Sequence, residues 1–304
     1  VNESDLEDGI YKGLLEGLND PYSVYYTAEE YRKMMEQTSG TYSGIGALVS
    51  QNAETGIITV VKAFADAPAA KAGVKNGDII YKVKGKEVTG VDINNVVTEM
   101  KGEKGTTVDI TVYRESEKKY IDFTITRDQV NEPTVEYKML DKKKKIGYIQ
   151  ISQFEEVTYD QFTKALDDLK KQGMKAVIFD VRSNPGGLYE TVCKMLDEIL
   201  PEGNLVSTKD KYGNEEKQTS DSKCLDMPMV VLQNKDSASA SEIFAGAIQD
   251  FNAGKIVGTQ SFGKGIVQTI LPLSDGSAVK LTVQDYYTPS GKNIHGKGIT
   301  PDVE

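Results

Sequence analysis

The chain has little histidine and little cysteine. It contains one histidine, His295, and two cysteines, Cys193 and Cys224, among 304 residues. The cysteines are 31 positions apart, a spacing that fits neither a C-x-x-C motif nor a disulfide-dense framework and leaves only a single disulfide open. Because the one imidazole lies far along the chain from both thiols, we expect no metal site, and no cofactor is expected.

An excess of positive charge and long apolar runs are also missing. The net charge of −10 argues against a nucleic-acid interface, which needs clustered lysine and arginine in excess, and the basic run 142–145 is expected to be a solvated turn. No run of 18 apolar residues is present, so no membrane span is expected. The start at Val1 rather than Met leads us to expect a mature or trimmed product that has lost a signal peptide or anchor.

The first 40 residues have helical periodicity. Apolar residues recur at spacings of three and four, followed by a break at "NDPYSVYYT" and a second short helix around 29–35; the apolar residues are Leu6, Ile10, Leu14, Leu15 and Leu18. We predict a helical N-terminal arm over residues 1–40. Its apolar face needs a partner, either the body of the chain or a second subunit.

The rest of the chain divides into two patterns. Short β-rich runs separated by glycines, with one helix at 91–100, predict a compact and mostly antiparallel domain over 41–128. From 129 to 304, apolar strands such as "IGYIQI" and "AVIFDV" alternate with helices, which predicts a mainly parallel sheet followed by a C-terminal β portion. The predicted fold class is therefore a multidomain α/β and β protein.

Three serines stand at alternate positions in "NKDSASASEIFAG", at the start of a predicted helix. Ser239 and Glu242 fit a capping box, so Ser239 is a candidate N-cap. The same position faces free N–H groups at the positive end of the helix dipole, which would also suit a nucleophilic hydroxyl. From these residues alone both interpretations stay open.

A nucleophilic serine requires a base. His295 has no carboxylate near it in sequence, whereas Lys264 lies between two glycines in "SFGKGIVQ", where the chain can bend sharply. The ordinary lysine pKa of about 10.4 would have to be lowered by burial or a cationic neighbour, and a surface turn is the alternative. Gln268 can orient the amine only if this segment is compact, since an extended strand would separate the two by about 13 Å; otherwise it is a polar strand residue.

Three segments together resemble the carboxyl-terminal processing proteases, also called tail-specific proteases, a serine peptidase family. They are "NKDSASASEIFAGAIQD", "VGTQSFGKGIVQ" and "DGSAVKLTVQDYYTPSGKNIHGKGITPD", and the resemblance covers almost the whole chain. It implies a nucleophilic serine in the first segment, a basic lysine 25 positions later and a glutamine four further on. That spacing selects Ser239, rather than Ser237 or Ser241, with Lys264 and Gln268.

The resemblance also implies two sets of binding residues. The oxyanion hole would consist of the amide of Ala240 and a glycine amide in "RSNPGG", where Gly186 and Gly187 both stay open. The β-rich domain would be a PDZ domain, whose loop at "SGIGALVS" would capture a terminal carboxylate while the following strand pairs with the peptide. The loop residues are Gly44, Ile45, Gly46 and Ala47.

The implied function is a serine endopeptidase that cleaves in the C-terminal region of proteins with accessible tails, with PDZ-mediated recognition or gating. The alternatives are a non-catalytic PDZ scaffold on a protease-like body and a hydrolase that depends on His295. The resemblance further implies a bacterial, extracytoplasmic protein, secreted or anchored through a segment absent here, that forms homodimers through its helical arm.

Overall fold

The structure is a computed structural model, which describes residues 3–304 and their side chains from Leu6 onward. The chain forms two compact units. The first unit contains the described residues up to Ser39 together with Thr134–Glu304, and the second is Gly40–Pro133. The predicted arm thus belongs to the same compact unit as the C-terminal part of the chain. Val1 and Asn2, the first residues of that prediction, lie outside the described residues.

The elements of residues 3–304 are numbered in chain order. The helices are α1 (Glu3–Glu16), α2 (Ala28–Ser39), α3 (Pro68–Ala72), α4 (Ile93–Met100), α5 (Thr158–Lys171), α6 (Tyr189–Asp197) and α7 (Ala240–Asp250). The strands are β1 (Val24–Tyr26), β2 (Thr41–Gly44), β3 (Ala47–Gln51), β4 (Ile58–Ala63), β5 (Ile79–Val83), β6 (Lys86–Glu87), β7 (Thr107–Arg114), β8 (Lys119–Thr126), β9 (Asp128–Asn131), β10 (Val135–Asp141), β11 (Ile146–Ile151), β12 (Ala176–Asp180), β13 (Gly203–Asp210), β14 (Glu215–Ser220), β15 (Met229–Gln233), β16 (Gly254–Gly258), β17 (Ile266–Pro272) and β18 (Ala278–Tyr287).

A mainly parallel sheet forms the centre of the first unit. Its order is β10-β11-β12-β15-β16, with parallel pairing from β11 to β16 and the antiparallel β10 at one edge. The apolar strands of this sheet are covered by helices. For example, Phe179 of β12 packs edge to face on Phe244 of α7, with 5.4 Å between the ring centroids. Helix α7 is buried along its length up to Ile248, so its first residue is firmly fixed beside the end of β15.

A second, antiparallel sheet in this unit joins the N-terminal part of the chain to its C-terminal part. It has the order β1-β18-β13-β14, with β17 also pairing with β18. The turn between β17 and β18 contains Asp275 and Gly276, residue types that favour tight hairpin turns. Strand β1 lies within the stretch predicted as a break between helices, and it pairs antiparallel with β18, placing Val24 opposite Lys280.

Helix α1 exposes much of its apolar face. Leu6, Ile10 and Leu14 of the helix, and Leu18 just after its end, are each more than half exposed, at 56–69%. The body of the first unit therefore does not cover these four side chains.

The second unit is a small antiparallel β domain with its own core. Its main sheet has the order β3-β4-β5-β7-β8, and β2 pairs separately with β9. Helix α4 begins two residues later than predicted, because the Asp92 side chain accepts a hydrogen bond from Asn94 N–H at 2.8 Å and caps the helix there. The core contains residues from the sheet and from α4, including Ile58, Ile80, Val96 and Val112.

Two further observations bear on the sequence expectations. Among residues 3–304, no helix has both the length and the apolar character needed to cross a membrane. Cys193 is buried, Cys224 is exposed, and both are free thiols.

Candidate active site

Ser239 is the N-cap of α7 and has an unusual backbone conformation. Its φ of 55° lies in the left-handed region, which is costly for a residue with a Cβ and persists only where the surrounding structure holds it. The neighbouring serines are buried and hold the surrounding loops. Ser237 Oγ donates to the Val181 carbonyl at 2.7 Å, and Ser241 Oγ donates to the Asn184 carbonyl at 2.9 Å. Of the three serines, the half-buried Ser239 is the one that lines a cleft.

The buried carboxylate of Glu242 joins the Ser239 and Lys264 segments. One of its oxygens accepts hydrogen bonds from Ser239 N–H at 2.9 Å and Lys264 N–H at 2.8 Å. The other accepts from Ser261 Oγ at 2.6 Å and Gly263 N–H at 2.7 Å. The capping-box glutamate therefore fixes both backbones that carry the predicted serine and lysine.

Lys264 is half-buried in the same cleft. Burial, and after it the positive charge of Lys280, lower the pKa of Lys264 below the ordinary lysine value, although Asp20 and Glu242 oppose this change. Its Nζ lies 4.7 Å from the centroid of the Tyr22 ring. Within residues 3–304, this amine makes no hydrogen bond and no ion pair.

Gln268 lies on β17 and lines the cleft, so the turn at Gly263 and Gly265 does bring it to the same cavity as Lys264. Its Nε2 donates to Thr282 Oγ1 across the hairpin at 3.3 Å. The hydrogen bond of this side chain therefore goes to β18 and not to the lysine.

The loop "RSNPGG" follows β12 and approaches Ser239 closely. A Cβ built on Gly186 would lie 2.8 Å from the Ser239 Cβ and 3.0 Å from the Ala240 nitrogen, and Gly186 has a φ of 107°, so only glycine fits there. Buried Asn184 holds the loop, since its Nδ2 donates to the Ile151 carbonyl at 2.8 Å and its Oδ1 accepts from Gly186 N–H at 2.9 Å.

An ion pair and a hydrogen bond hold the residues at which this loop begins. Asp180, at the end of β12, is buried, and Arg182 binds it through Nη2 at 2.6 Å. The Tyr148 hydroxyl donates to the same carboxylate at 2.6 Å. These charge-assisted bonds fix the chain where it leaves the sheet, at the carboxyl end of a parallel strand.

The cleft has a volume of about 920 Å³, which is enough for several residues of a peptide. The sequence-predicted residues Ser239, Ala240, Gly186, Gly187, Lys264 and Gln268 all line it. Apolar side chains from α7, β17 and β18 complete this wall, namely Ile243, Ile266, Ile270 and Tyr286.

His295 is exposed and does not belong to the described residues that line the cleft. Its Nδ1 accepts a hydrogen bond from Gly265 N–H at 3.4 Å, and the backbones pack so tightly that a Cβ on Gly265 would lie 2.6 Å from the His295 nitrogen. The imidazole thus supports the back of the lysine turn.

The predicted peptide-binding loop lies in the second unit. Gly44 ends β2, Ile45 is buried, Gly46 has a φ of 75° and Ala47 begins β3. The carbonyls of Ile45 and Gly46 accept hydrogen bonds from Ala69 and Phe64, at 2.7 and 3.0 Å. Within the described part of the chain, the N–H groups of Ile45 and Gly46, which are both buried, make no hydrogen bond.

The fold and the cleft have the features of a serine-type peptidase: a serine at a strained helix start, a half-buried amine and a glycine loop beside them. Residues 145–304 match the model described as peptidase family S41, and residues 43–125 match that of a PDZ domain. The chain therefore belongs to peptidase family S41, a serine-type protease family, and it includes a PDZ domain. This confirms the predicted resemblance and fold class.

Similar proteins agree with this assignment. The chain is 40% identical to the carboxy-terminal-processing protease of Bartonella bacilliformis, over 99% of this chain and 70% of that protein. It is 40% identical to a probable CtpA-like serine protease of Staphylococcus epidermidis, over 98% of this chain and 60% of that protein. The solved structure of the photosystem II D1 C-terminal processing protease matches with a TM-score of 0.59 and 30% identity, over 99% of this chain and 82% of that one. The chain thus spans 60–70% of the two curated relatives.

Several site residues gave no catalytic signal in the sequence. Glu242 was visible only as part of a capping box, and Asn184 only as a loop residue. Tyr22 and Lys280 are far from the serine and lysine motifs along the chain, and no spacing rule connects them to Lys264. Tyr22 and Lys280 could have been connected to Lys264 only by knowing that β1 pairs with β18. That pairing is not a local feature of the sequence.

Proposed function

We propose that this chain is a serine endopeptidase that cleaves protein substrates in their C-terminal region, with Ser239 as nucleophile and Lys264 as general base. The observation that carries the proposal is the Glu242 carboxylate, which holds both backbones through one oxygen, at 2.9 and 2.8 Å. Both side chains line one cleft of peptide size. The similarity to proteases named for carboxy-terminal processing supports the choice of substrate region.

In the proposed reaction Ser239 Oγ attacks the peptide carbonyl while neutral Lys264 takes the hydroxyl proton. The lysine then returns the proton to the leaving amine, and water hydrolyses the acyl-enzyme with the same base. Burial and the charge of Lys280 support this role, because both lower the pKa of Lys264 and so increase the fraction of neutral amine near neutral pH. We propose that Gln268 exchanges its hydrogen bond to Thr282 for one to the Lys264 amine and so orients that amine.

For the oxyanion hole we propose the amides of Ala240 and Gly187. Gly186 N–H already donates to Asn184 Oδ1 at 2.9 Å, which favours its neighbour as the donor. Within residues 3–304, the N–H groups of Gly187 and Ala240 have no hydrogen-bond acceptor. A crystal structure of a peptide boronate adduct would test this choice, since its oxygen should lie about 3 Å from both nitrogens. An oxygen bound by Gly186 N–H would contradict it.

The catalytic proposal is tested with Ser239→Ala and Lys264→Ala. Each should abolish cleavage of an unstructured protein, followed by electrophoresis and mass spectrometry of the fragments. Ser222→Ala, in an exposed loop, is the matched control and should cleave normally. Full activity of either site variant would refute the assignment. A wild-type protein that binds peptides but never cleaves would favour a non-catalytic PDZ scaffold.

For the second unit we propose capture of a substrate's free carboxylate by the amides at residues 44–47. The free N–H groups of Ile45 and Gly46 support this proposal. Full-length Ser239→Ala protein should bind a fluorescent peptide with a free C-terminus at least about tenfold more tightly than its C-terminal amide. Equal affinity for the two peptides would rule out carboxylate capture.

We also propose that the protein acts outside the cytoplasm and forms homodimers through α1. The exposed leucines of that helix support a second copy as the partner. Analytical ultracentrifugation of wild-type protein and of a variant with Ile10→Glu and Leu14→Glu should give a dimer and a monomer, respectively. A monomeric wild type would contradict the dimer.

A further inference from the structure

The N-terminal segment 20–26 lies against the lysine that we propose as the base. Strand β1 pairs with β18, with Val24 opposite Lys280 and Tyr26 opposite Ala278. Lys280 Nζ donates to the Tyr26 hydroxyl at 2.9 Å. One end of the segment is therefore fixed to the strand that carries the second cation near Lys264.

The other end of the segment is fixed by a buried hydroxyl. Ser23 Oγ donates to Asp20 at 2.5 Å and accepts from Thr282 N–H of β18 at 3.0 Å. Tyr22 N–H donates to the same Asp20 carboxylate at 3.1 Å. Tyr22 thus stands between two anchored positions, so its backbone is held in place beside β18.

The face of the Tyr22 ring lies over the Lys264 amine at 4.7 Å, within the distance at which a cation and an aromatic ring attract each other. In the described residues, no hydrogen bond or ion pair competes for this amine. A ring face attracts an ammonium group and not a neutral amine. The contact therefore favours the protonated lysine, which is the form that cannot act as a base.

We propose that Tyr22 is a positioning residue of the active site, whose ring holds protonated Lys264 in the resting protein and releases the amine for Ser239 when the proton is lost. This inference rests on the proposed role of Lys264 as the base. It makes a segment more than 200 positions away in the sequence part of the catalytic machinery.

Several other charged or titratable groups lie around Lys264. Lys280 of β18 lowers the pKa of Lys264, whereas Asp20 of the same segment as Tyr22 and Glu242 of α7 raise it. His295 lies behind the turn, with its Nδ1 on Gly265 N–H. Replacing the ring by leucine leaves all these groups in place and keeps apolar bulk over the amine, so the effect of burial is retained. Loss of the ring face should then lower the pKa of Lys264.

The experiment is an NMR titration of Lys264 in protein labelled with ¹³C and ¹⁵N lysine, in the Ser239→Ala background, with Lys264→Arg used to assign the signal. The titration midpoint in Tyr22→Leu should be lower by about 0.4 to 1.5 pH units, and Tyr22→Phe, which keeps the ring, should retain the original midpoint. Tyr11→Leu is the matched control. It removes an aromatic ring that packs on Tyr25 at 5.1 Å in the same part of the chain, and it should leave the midpoint unchanged.

With Ser239 present, the acid limb of the pH dependence of kcat/KM should move in Tyr22→Leu by the same amount and in the same direction as the titration. An unchanged Lys264 midpoint in Tyr22→Leu, or an equal change in Tyr11→Leu, would overturn the inference. The titration does not need activity, so it tests the Tyr22 contact even if the wild-type protein fails to cleave. That failure would refute the proposed function instead.

Discussion

At the scale of single residues, the site depends on one carboxylate. Glu242 accepts four hydrogen bonds, and two of them come from the backbones of Ser239 and Lys264. A serine in a left-handed conformation persists only where its surroundings determine it, and this carboxylate is part of those surroundings. Glu242 thus acts through its neighbours and is a positioning residue.

We predict that Glu242→Gln lowers cleavage at least about a hundredfold and lowers the melting temperature. Glutamine has one acceptor oxygen, so its NH₂ group would face N–H donors that then lose their partner, at about 1–3 kcal/mol each. Displacement of the two segments lowers the rate further. Glu29→Gln, at an exposed helix start, is the control and should change neither quantity. Wild-type kinetics in Glu242→Gln would contradict this role.

The glycine loop permits a matched pair of substitutions. Gly186→Ala should lose most activity, because the new Cβ would lie 2.8 Å from the Ala238 carbonyl oxygen and from the Ser239 Cβ. Gly213→Ala, in the turn between β13 and β14, also has a positive φ but meets nothing within 4 Å. It should therefore cost only about 1–2 kcal/mol of stability and keep full activity. Calorimetry and a cleavage assay on both proteins check the prediction, and equal losses of activity would contradict it.

At the scale of elements, β18 connects the site to the start of the chain. It pairs with β1, β13 and β17, and it carries Thr282, the partner of Gln268, and Lys280, whose charge lowers the pKa of Lys264. The hairpin of β17 and β18 therefore carries both Gln268, the proposed partner of the base, and the charge that lowers the pKa of Lys264.

Lys280→Met should raise the pKa of Lys264, because a positive neighbour is removed. In the proposed mechanism the activity depends on the neutral amine and increases with pH, so the acid limb of kcat/KM should move to higher pH. At neutral pH, kcat/KM should fall by about three- to tenfold. Lys280→Arg keeps the charge and should preserve the profile. An acid limb that stays in place in Lys280→Met would show that Lys280 does not act on the base.

Many of the helices and strands could be predicted from the sequence. Strand β11 coincides with the predicted run "IGYIQI", because a continuous apolar run is a local signal. The arm could not be predicted in the same way. The segment "NDPYSVYYT" looks like a break because its proline and aspartate favour turns, but β1 is stabilised by pairing with β18, more than 250 positions away. Ser239 and Lys264 are predicted through the resemblance, whose spacing selects them, whereas the partner of Gln268 depends on the register of the hairpin.

At the scale of the whole molecule, two compact units have separate cores. The first unit contains the described N-terminal residues, the C-terminal part of the chain and every residue of the proposed catalytic set, and the second contains the proposed peptide-binding loop. Catalysis and tail recognition are thus assigned to different units. The chemistry should therefore be measurable with a small reagent that reacts at the serine without any peptide tail.

The central claim is that Ser239 is the nucleophile and Lys264 its base. The most direct measurement is peptide mapping by mass spectrometry after reaction of the full chain with a fluorophosphonate. The account predicts one adduct, on Ser239, which forms in wild-type protein, is lost in Ser239→Ala and is nearly lost in Lys264→Met. An adduct on Ser237 or Ser241, or undiminished labelling of Ser239 in Lys264→Met, would contradict it.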